Sequence, residues 1–417
     1  MQSKIVFSGT HGTSYQQAAA LVTALFELPL TAAQVRRVCK PIGAERCAER
    51  DAATSAYAAL PLVARKGVPD GVEAPDVAVV GVDGGRLQII DSREESAEES
   101  PDDDGEEPVN RGRHWREDKV GMMMAMTSDE HESDPCPEVP ATFVEPLRIL
   151  KLTRELKKSV PVPAGEPADA EEPVDGDEDA RDDSTGAESE TRWKPPKVKA
   201  KSFVASRRPW SAFGPMVAAA AWQQGFFGAT RKAFLGDGAE TNWTVWRNHF
   251  SSFVPILDFI HAVSYVFAAA TAGRTFAEGW SVYVRWIGWV WSGRVDAVIA
   301  ELESRQSELG MATAADGATS PRRIVARACG YLRNNRERMR YAEYRRRGLP
   351  MVSSYVESAV KQFNYRVKGS EKFWTEAGAE EMLQLRSDVL GTDDALAEFW
   401  TRRQAGEAGQ NRYRSAA

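Results

Sequence analysis

The chain has 417 residues, of which 42% are hydrophobic and 27% charged, and its formal net charge is −7. This length accommodates one large globular domain or two of ordinary size. The four cysteines, at positions 39, 47, 136 and 329, lack the paired spacing of a cysteine metal site, so we expect reduced thiols in a cytoplasm. The N-terminal stretch has no basic run followed by an apolar core, so no export signal is expected.

The acidic charge is concentrated in two low-complexity segments. Residues 91–110 hold ten acids and one arginine, and residues 161–192 hold twelve acids and two arginines. Their composition is typical of disordered linkers. Removing their −19 charges leaves the rest of the chain at +12. A basic folded part is typical of a nucleic-acid-binding protein, although a solvated surface can also be basic without such a partner.

The first predicted elements are short helices between residues 14 and 50. Thr31 and Gln34 have the spacing of a capping box, which predicts a helix start after Pro29. Arg36 and Arg37 lie on the second helix. The pattern fits a helix-turn-helix that reads DNA, and it fits equally a helical pair packed on the main domain.

After Pro75 the periodicity changes to that of strands. Two strands, DVAVVGVD and RLQIID, are predicted to be joined by a hairpin turn at Gly84 and Gly85, and KVGMMMAMTS is a third. Beyond the second acidic segment, a helix, a strand ending at Asp237, another helix and the apolar strand VPILDFIHAV follow. This order predicts an α/β core with helices on both faces of a mixed sheet.

Residues 253–273 have the length of a membrane span, but Asp258 and His261 stand near their middle. Charge there is costly in lipid, so we expect a buried strand followed by a helix. Residues 277–309 predict a long helical stretch that is apolar nearly all round. Residues 321–347 contain ten arginines against two glutamates. Such a helix suits phosphate contacts, and the alternative is a solvated charged face.

Three carboxylates, those of Asp83, Asp237 and Glu357, are candidates for chemistry. Singly, each has a plain structural explanation. The two aspartates precede glycine in turn-like pairs, and Glu357 has capping-box spacing from Ser354. Together, acids at neighbouring strand ends and on a helix packed against the sheet can hold two hard divalent cations for phosphoryl chemistry. The glycines would then also let a ligand approach the backbone.

Several of these stretches resemble bacterial insertion-sequence transposases of the ISKra group. The resemblance runs from about Asp76 to the C-terminal FWTRRQ and rests on VVGVDGGRLQI, HWREDKVGMMMAMTS, FLGDGAETNW, FVPILDFIHAVSYVFAAA and RRRGLPMVSSYVESAVKQFNYRVKGSEKFWTEAGAEEMLQLR. It implies an RNase H-like α/β fold, a mixed sheet flanked by helices, with a helical insertion between the second and third catalytic acids and a small N-terminal helical region.

The same resemblance implies a function and a set of site residues. The DDE triad maps onto Asp83, Asp237 and Glu357, which would bind two Mg²⁺ or Mn²⁺ ions, and Asp258 with His261 matches an accessory Asp-x-x-His pattern. The partner is double-stranded DNA, both the transposon ends and the target, bound by a homodimer or larger assembly on the nucleoid in the cytoplasm, with no membrane involved. The candidate DNA-binding residues are Arg327, Arg333, Arg336, Arg340, Arg345, Arg346, Arg347, Lys361, Arg366 and Lys368.

The expected organisation follows from these assignments. We expect an N-terminal helical DNA-binding region, three parts of the catalytic domain, a Trp- and Arg-rich helical insertion and two acidic segments. In chain order these are residues 1–74 (N-terminal), 75–91 and 111–160 (catalytic, first part), 92–110 (acidic insertion), 161–192 (acidic linker), 193–272 (catalytic, second part), 273–345 (helical insertion) and 346–417 (C-terminal catalytic helices).

Two other functions compete with an active transposase. A protein that kept the fold and lost catalysis would bind DNA without cleaving it. A sugar kinase of the actin and hexokinase type also opens on a stretch such as VGVDGG, but a second glycine-rich phosphate motif and an adenosine loop are not visible in the chain.

Overall fold

A computed structural model describes residues 1–90, 114–155, 193–352, 354–369 and 372–407. The predicted acidic segments at 92–110 and 161–192 lie outside the described residues. By its internal contacts the chain divides into two compact units. Unit 1 comprises Met1–Thr127, Lys197–Pro255 and Val352–Ala417, and unit 2 comprises Ser128–Pro196 and Ile256–Met351.

Six strands form one mixed sheet. They are β1 (Val77–Ile89), β2 (His114–Thr127), β3 (Lys197–Ser206), β4 (Arg231–Gly236), β5 (Val254–Leu257) and β6 (Phe373–Trp374). The order is β3-β2-β1-β4-β5, with β6 beside the end of β1. The pairs β1–β2 and β2–β3 are antiparallel, while β1 pairs in parallel with β4 and β6. The boundary between the two units falls inside β5.

Fifteen α-helices lie in the described part of the chain. They are α1 (Gln2–His11), α2 (Tyr15–Phe26), α3 (Ala32–Ala59), α4 (Leu62–Arg65), α5 (Pro146–Glu155), α6 (Trp210–Gln223), α7 (Glu240–His249), α8 (Phe259–Thr271), α9 (Phe276–Trp291), α10 (Val295–Leu309), α11 (Pro321–Asn335), α12 (Tyr341–Arg346), α13 (Ser354–Val367), α14 (Glu376–Leu390) and α15 (Ala395–Glu407).

Helices cover both faces of the sheet, as the sequence predicted. On one face a Cβ added to Gly81 of β1 would lie 2.6 Å from Cγ2 of Val356 in α13. On the other face a Cβ added to Gly121 of β2 would lie 2.6 Å from Cγ2 of Val217 in α6. Glycine therefore lets both helices approach the central strands closely. The α/β class with a mixed, helix-flanked sheet is confirmed.

The predicted hairpin at Gly84 and Gly85 is wrong. β1 continues without a turn from Val77 to Ile89 and pairs along its whole length with β2. The glycines face acidic side chains across the ladder, and a Cβ on Gly85 would lie 2.8 Å from both carboxylate oxygens of Asp118. Cross-strand crowding, rather than turn geometry, accounts for the glycine pair.

The N-terminal helices differ from the predicted series of short ones. The capping box of Thr31 and Gln34 is confirmed, but α3 then runs for 28 residues, straight through Pro41. The helices α1 to α3 share an apolar cluster with Leu385 of α14 and Phe399 of α15. This packing supports the long helix, because tertiary contacts outweigh the local helix-breaking tendency of one proline.

Unit 2 contains the predicted Trp-rich and Arg-rich helices. The stretch expected to be one helix is two, α9 and α10, because Gly293 adopts φ = +79° between them. The apolar residues 253–273 fold as β5 followed by α8, as predicted. Among the described residues, no helix combines the length and apolar character needed to cross a membrane.

Candidate active site

Asp83 and Asp237 occupy matching positions on two neighbouring parallel strands. The last paired residues of β1 and β4 are Gly81 and Leu235, and each aspartate stands two residues beyond its strand's member of that pair. β4 ends at Gly236, whereas β1 continues. Because the pairing is parallel, both aspartates come to the carboxyl end of β4, where they line one open cleft of about 590 Å³.

Asp237 lies in the tight connection between β4 and α7. Its Oδ1 accepts a hydrogen bond of 2.8 Å from the backbone N–H of Ala239, the N-cap residue of α7. Gly238 adopts φ = +98°, a conformation that residues with side chains rarely reach. The turn thus accounts for the Asp-Gly pair, and it also holds the carboxylate in a defined direction.

Asn242, which the sequence analysis did not single out, connects the two strand ends. It lies in the first turn of α7 and is 2% exposed. Its Nδ2 donates to Oδ1 of Asp237 over 2.8 Å and to the backbone oxygen of Val82 over 3.3 Å. Val82 immediately precedes Asp83, so this single amide ties Asp237 to the backbone beside Asp83. The only sequence signal was its place in the helix that follows Asp237.

Asp83 stands inside β1 rather than at its end, contrary to the sequence prediction. It is opposite Val120 of β2 and is half-buried. Its Oδ1 accepts a hydrogen bond of 2.7 Å from the N–H of Gly84. The strand does not stop here because β2 continues to pair with it, while β4, its neighbour on the other side, has already ended. The end of β4, not that of β1, exposes Asp83 to the cleft.

Glu357 lies in the first turn of α13, and its side chain is outside the described part of the structure. The adjacent Val356 is buried against Gly81 of β1, two residues before Asp83. The backbone therefore places the helix that carries the third acid over the strand that carries the first. Ser354 is the first residue of this helix, so it does not stand at the N-cap position that the predicted capping box with Glu357 requires.

The rest of the cleft combines acidic, aromatic and small residues. Besides the two aspartates and Asn242, its lining comprises Gly84, Gly85, Arg86, Trp115, Glu117, Trp210, Ala239 and Thr241. Trp115 is 50% exposed. Lys119 is buried next to two of these lining residues. Its Nζ lies 3.1 Å from Glu117 Oε2 and 5.5 Å from the ring centroid of Trp210. An open cleft with aromatic and polar walls suits an extended polar ligand better than an enclosed small one.

Asp118 is another residue that the sequence analysis did not single out. It pairs with Gly85 across the β1–β2 ladder and has no solvent exposure. Among the described residues neither of its carboxylate oxygens has a hydrogen-bond partner. Burial raises the pKa of Asp118 to about 6, and the nearby Lys119 and Lys368 oppose that rise. Asp118 lies on the same face of the ladder as Asp83, two residue pairs further along.

The donor chemistry of this edge fits a hard divalent cation. Asp83 and Asp237 offer carboxylate oxygens on rigid elements, which Mg²⁺ and Mn²⁺ prefer over nitrogen or sulfur. Asn242 orients the carboxylate of Asp237, as an outer-shell residue does in metal sites. Within the described residues no group of three or more His, Cys, Asp or Glu side chains forms a complete site. The Glu357 side chain is not included in that set.

Asp258 and His261 belong to unit 2, within which they have a local structural role. Asp258 is fully buried and is the N-cap of α8, its Oδ1 accepting a hydrogen bond of 2.6 Å from the N–H of Ile260. His261 follows one turn later, with Nδ1 3.8 Å from Oδ2 of Asp258. Helix capping accounts for this aspartate, and the accessory role stays a prediction.

Most candidate DNA-binding residues are on the surface. In unit 2, Arg327, Arg333, Arg336, Arg340 and Arg346 are exposed and Arg347 is half-buried; in unit 1, Lys361 and Lys368 are exposed. Several of the arginines pair with nearby glutamates, for example Arg333 with Glu303 at 2.5 Å. Exposed pairs of this kind contribute little and exchange readily, so they leave these cations able to meet a phosphate.

Two of the candidates are inside the protein instead. Arg345 is fully buried, forms a bidentate pair with Asp134, and stacks 4.0 Å from the ring centroid of Trp291. Arg366 is 2% exposed and donates through Nε to the backbone oxygen of Gly9 over 3.0 Å. Neither guanidinium lies on the surface of its unit, so the prediction that these two arginines belong with the exposed cations is wrong.

Comparison of the chain with protein-family models and with curated proteins finds no match.

Proposed function

We propose that this chain is a DDE transposase with an RNase H-like catalytic domain, which cleaves DNA at the ends of an insertion sequence and joins them to target DNA. The proposal rests above all on one observation. Asp83 and Asp237 lie at equivalent positions beyond the last β1–β4 pair and line the same cleft, with Asn242 connecting their strands. The resemblance of the surrounding stretches to ISKra-group transposases is the reason for assigning metal-dependent DNA cleavage and joining to this arrangement.

The architecture supports the proposal. The sheet is mixed and open, with antiparallel strands on one side of β1 and the parallel strand β4 on the other, and helices on both faces. The stretch between Asp237 and Glu357 contains the helices α7 to α12, and the last four of them, α9 to α12, lie where a helical insertion was expected, at residues 273–345. The helix that begins at Ser354 packs on β1 through Val356.

Each residue of the proposed site has a part that follows from its position. Asp83 and Asp237 would hold divalent cations through carboxylate oxygens, and Glu357 would supply the third carboxylate from α13. Asn242 keeps the Asp237 carboxylate in one rotamer. When bound, such cations activate an attacking water or 3′ hydroxyl and stabilise the leaving oxygen. Gly84 and Gly85 line the cleft beside Asp83 and have no side chains that would fill it.

The substrate in this proposal is double-stranded DNA. The exposed arginines of α11 and of the residues that follow it would contact the DNA phosphates. Lys361 in α13 and Lys368 directly after α13 are further candidates for such contacts. Because two ends must be joined together, we propose that the active form is a homodimer or larger assembly on DNA in the bacterial nucleoid.

The test is a DNA cleavage and strand-transfer assay on a plasmid that carries the DNA flanking the gene on both sides. With Mg²⁺ or Mn²⁺ we expect nicks at defined ends and joined products. Asp83→Asn and Asp237→Asn should each abolish both products while leaving DNA binding in place. Asp70→Asn is the matched control, because Asp70 is exposed and lies away from the cleft lining.

The outcomes separate the competing functions. Full activity of Asp83→Asn would contradict the metal-site assignment. Specific binding of the flanking DNA without cleavage under any metal condition would select a DNA-binding protein derived from a transposase. Phosphorylation of a hexosamine by ATP, with no action on DNA, would select the sugar kinase.

A further inference from the structure

A second pocket of unit 1 is distinguished by its positive charge. Its volume is about 370 Å³, and it lies where the end of β1 meets the first turns of α2 and α14. We call it the basic pocket. Its charged lining residues are Arg36, Lys40, Arg366, Lys372 and the single carboxylate Glu381.

The cationic side chains of the basic pocket outnumber its acid, four to one. Burial raises the pKa of Glu381, which disfavours the ionised form of the one carboxylate present. Burial and the charge of Arg366 together lower the pKa of Lys372. These cations therefore repel one another in a partly dehydrated setting, which an anion would relieve.

Arg366 is the central feature of this pocket. Its guanidinium lies 4.5 Å from the ring centroid of Tyr15 and 5.1 Å from that of Trp374. Nε donates to Gly9, but among the described residues Nη2 has no hydrogen-bond partner. The residue is 2% exposed and yet lines the pocket. Leaving a buried charged donor without a partner is costly, so its presence here points to a ligand.

Two helix N-termini open onto the same pocket. Ser14 caps α2 by accepting a hydrogen bond of 3.1 Å from the N–H of Gln17, and Thr375 caps α14 by accepting one of 3.1 Å from the N–H of Gly378. Ser14, Thr375 and Gly378 all line the pocket. The first amides of a helix and its dipole favour an anion, and the two helices have 12 and 15 residues.

We infer that the basic pocket binds a phosphate group. The buried guanidinium of Arg366 would donate to phosphate oxygens, the two helix ends would add backbone donors, and Arg36 and Lys40 at the exposed mouth would attract the anion. The source is either the DNA backbone or a small phosphate compound. The DNA source rests on the proposed function, whereas phosphate binding as such does not.

The position of the pocket matters for the DNA source. Ile90, the residue that follows β1, lines the pocket. Asp83 lies within β1, seven residues before Ile90. At about 3.3 Å per residue, this places the pocket about 23 Å along the strand from the proposed active site. A phosphate held in the pocket would therefore be a contact separate from the bond that is cleaved, and for a duplex lying parallel to β1 it would be about seven base pairs away at an axial rise of about 3.4 Å per base pair.

The experiment compares phosphate and DNA binding by the full chain. Titration calorimetry with inorganic phosphate, against chloride at equal ionic strength, measures the small ligand, and a 20-base-pair duplex titrated over a salt series measures DNA. The variant is Arg36→Glu, and its matched control is Arg37→Glu, which makes the same charge change at the adjacent exposed residue outside the lining. Arg366→Met is a second variant, examined if it keeps the thermal denaturation profile of the wild type.

We expect saturable phosphate binding that Arg36→Glu weakens by roughly ten-fold and Arg37→Glu leaves unchanged. If DNA is the source, Arg36→Glu should also lower the slope of log affinity against log salt by about 1, uniformly across duplex sequences. A phosphate effect without a DNA effect would assign the pocket to a small phosphate compound. Equal and negligible phosphate binding by wild type and Arg36→Glu would overturn the inference.

Failure of this inference and failure of the proposed function are distinguishable. Asp83→Asn should still bind phosphate, since Asp83 does not line the basic pocket. Loss of cleavage in Asp83→Asn together with unchanged DNA binding in Arg36→Glu would uphold the active site and reject the DNA source.

Discussion

The side chain of Asn242 donates a hydrogen bond of 2.8 Å to the carboxylate of Asp237. The same amide reaches the backbone oxygen of Val82, so it holds the end of β4 against the middle of β1. A residue in the first turn of a helix thereby sets the relation between two aspartates that stand 154 positions apart in the chain. The proposed site depends on this contact as much as on the acids themselves.

Asn242→Ala should impair both the metal dependence and the stability of the protein. The Asp237 carboxylate would lose its orienting donor, and we expect the Mg²⁺ concentration for half-maximal cleavage to rise about 10- to 100-fold. Loss of the buried donor should lower the free energy of unfolding by about 1–3 kcal/mol. Asn248→Ala, on the exposed side of the same helix, is the control and should change neither value. An unchanged Mg²⁺ requirement in Asn242→Ala would argue against the orienting role.

Gly81→Ala should displace α13 from the sheet. The new Cβ would lie 2.6 Å from Val356 Cγ2, so we expect the free energy of unfolding to fall by about 1–3 kcal/mol. The double variant with Val356→Ala should recover part of that loss, because it removes the contacting methyl group. Gly288→Ala in α9 is the control: a Cβ there meets nothing within 4 Å, and we expect up to about 1 kcal/mol of stabilisation. Additive effects of Gly81→Ala and Val356→Ala would contradict the contact.

Asp118 should make the protein less stable as pH rises. Its pKa in the folded state is about 6, against an ordinary value of 3.8, because burial disfavours the charged form. The folded state therefore binds more protons than the unfolded state between about pH 4 and 6. The stabilisation is fully present below pH 4 and is lost as pH rises through 6, by roughly 3 kcal/mol for a shift of about two units.

Asp118→Asn removes this titration, and chemical denaturation from pH 4 to pH 8 measures the difference. Between pH 4 and pH 8 the free energy of unfolding should fall more for the wild type than for the variant, because the variant lacks the titrating carboxyl. Parallel stability curves for the two proteins over this range would refute the assignment.

Asp134→Ala should strongly destabilise unit 2. It would leave the fully buried Arg345 without its carboxylate, and breaking a buried pair on one side costs about 3–5 kcal/mol. Glu337→Ala, which removes a partner of the exposed Arg340, should cost less than about 1 kcal/mol. Thermal denaturation of both variants provides the comparison. Similar, small effects of the two substitutions would show that Arg345 does not depend on Asp134.

Local elements were the predictable part of the fold. The capping box at Thr31, the helix α7 after Asp237 and the strand-then-helix reading of residues 253–273 all depend on neighbours within a few residues, and each was confirmed. The continuity of β1 through Gly84 and Gly85 was not predictable in the same way. It depends on pairing with β2, whose partner residues lie beyond the first acidic segment.

The arginines illustrate the same limit at single residues. Their count along residues 321–347 indicated a basic surface, and most of them are exposed. The pattern did not separate Arg345 from its neighbours, because its partner Asp134 is 211 positions away. Arg366 was likewise grouped with surface lysines, although it lies between Tyr15 and Trp374 inside unit 1.

The sequence by itself determined the α/β class, the charge balance of the folded part, and the three acids around which a function is proposed. Only the tertiary structure decided which strands bring Asp83 and Asp237 to one cleft, that Asn242 and Asp118 accompany them, and that Arg366 lines a second, basic pocket. The physical reason is that hydrophobic periodicity and capping act between near neighbours, whereas strand register and the partners of buried polar groups come from segments that meet only when the chain is folded.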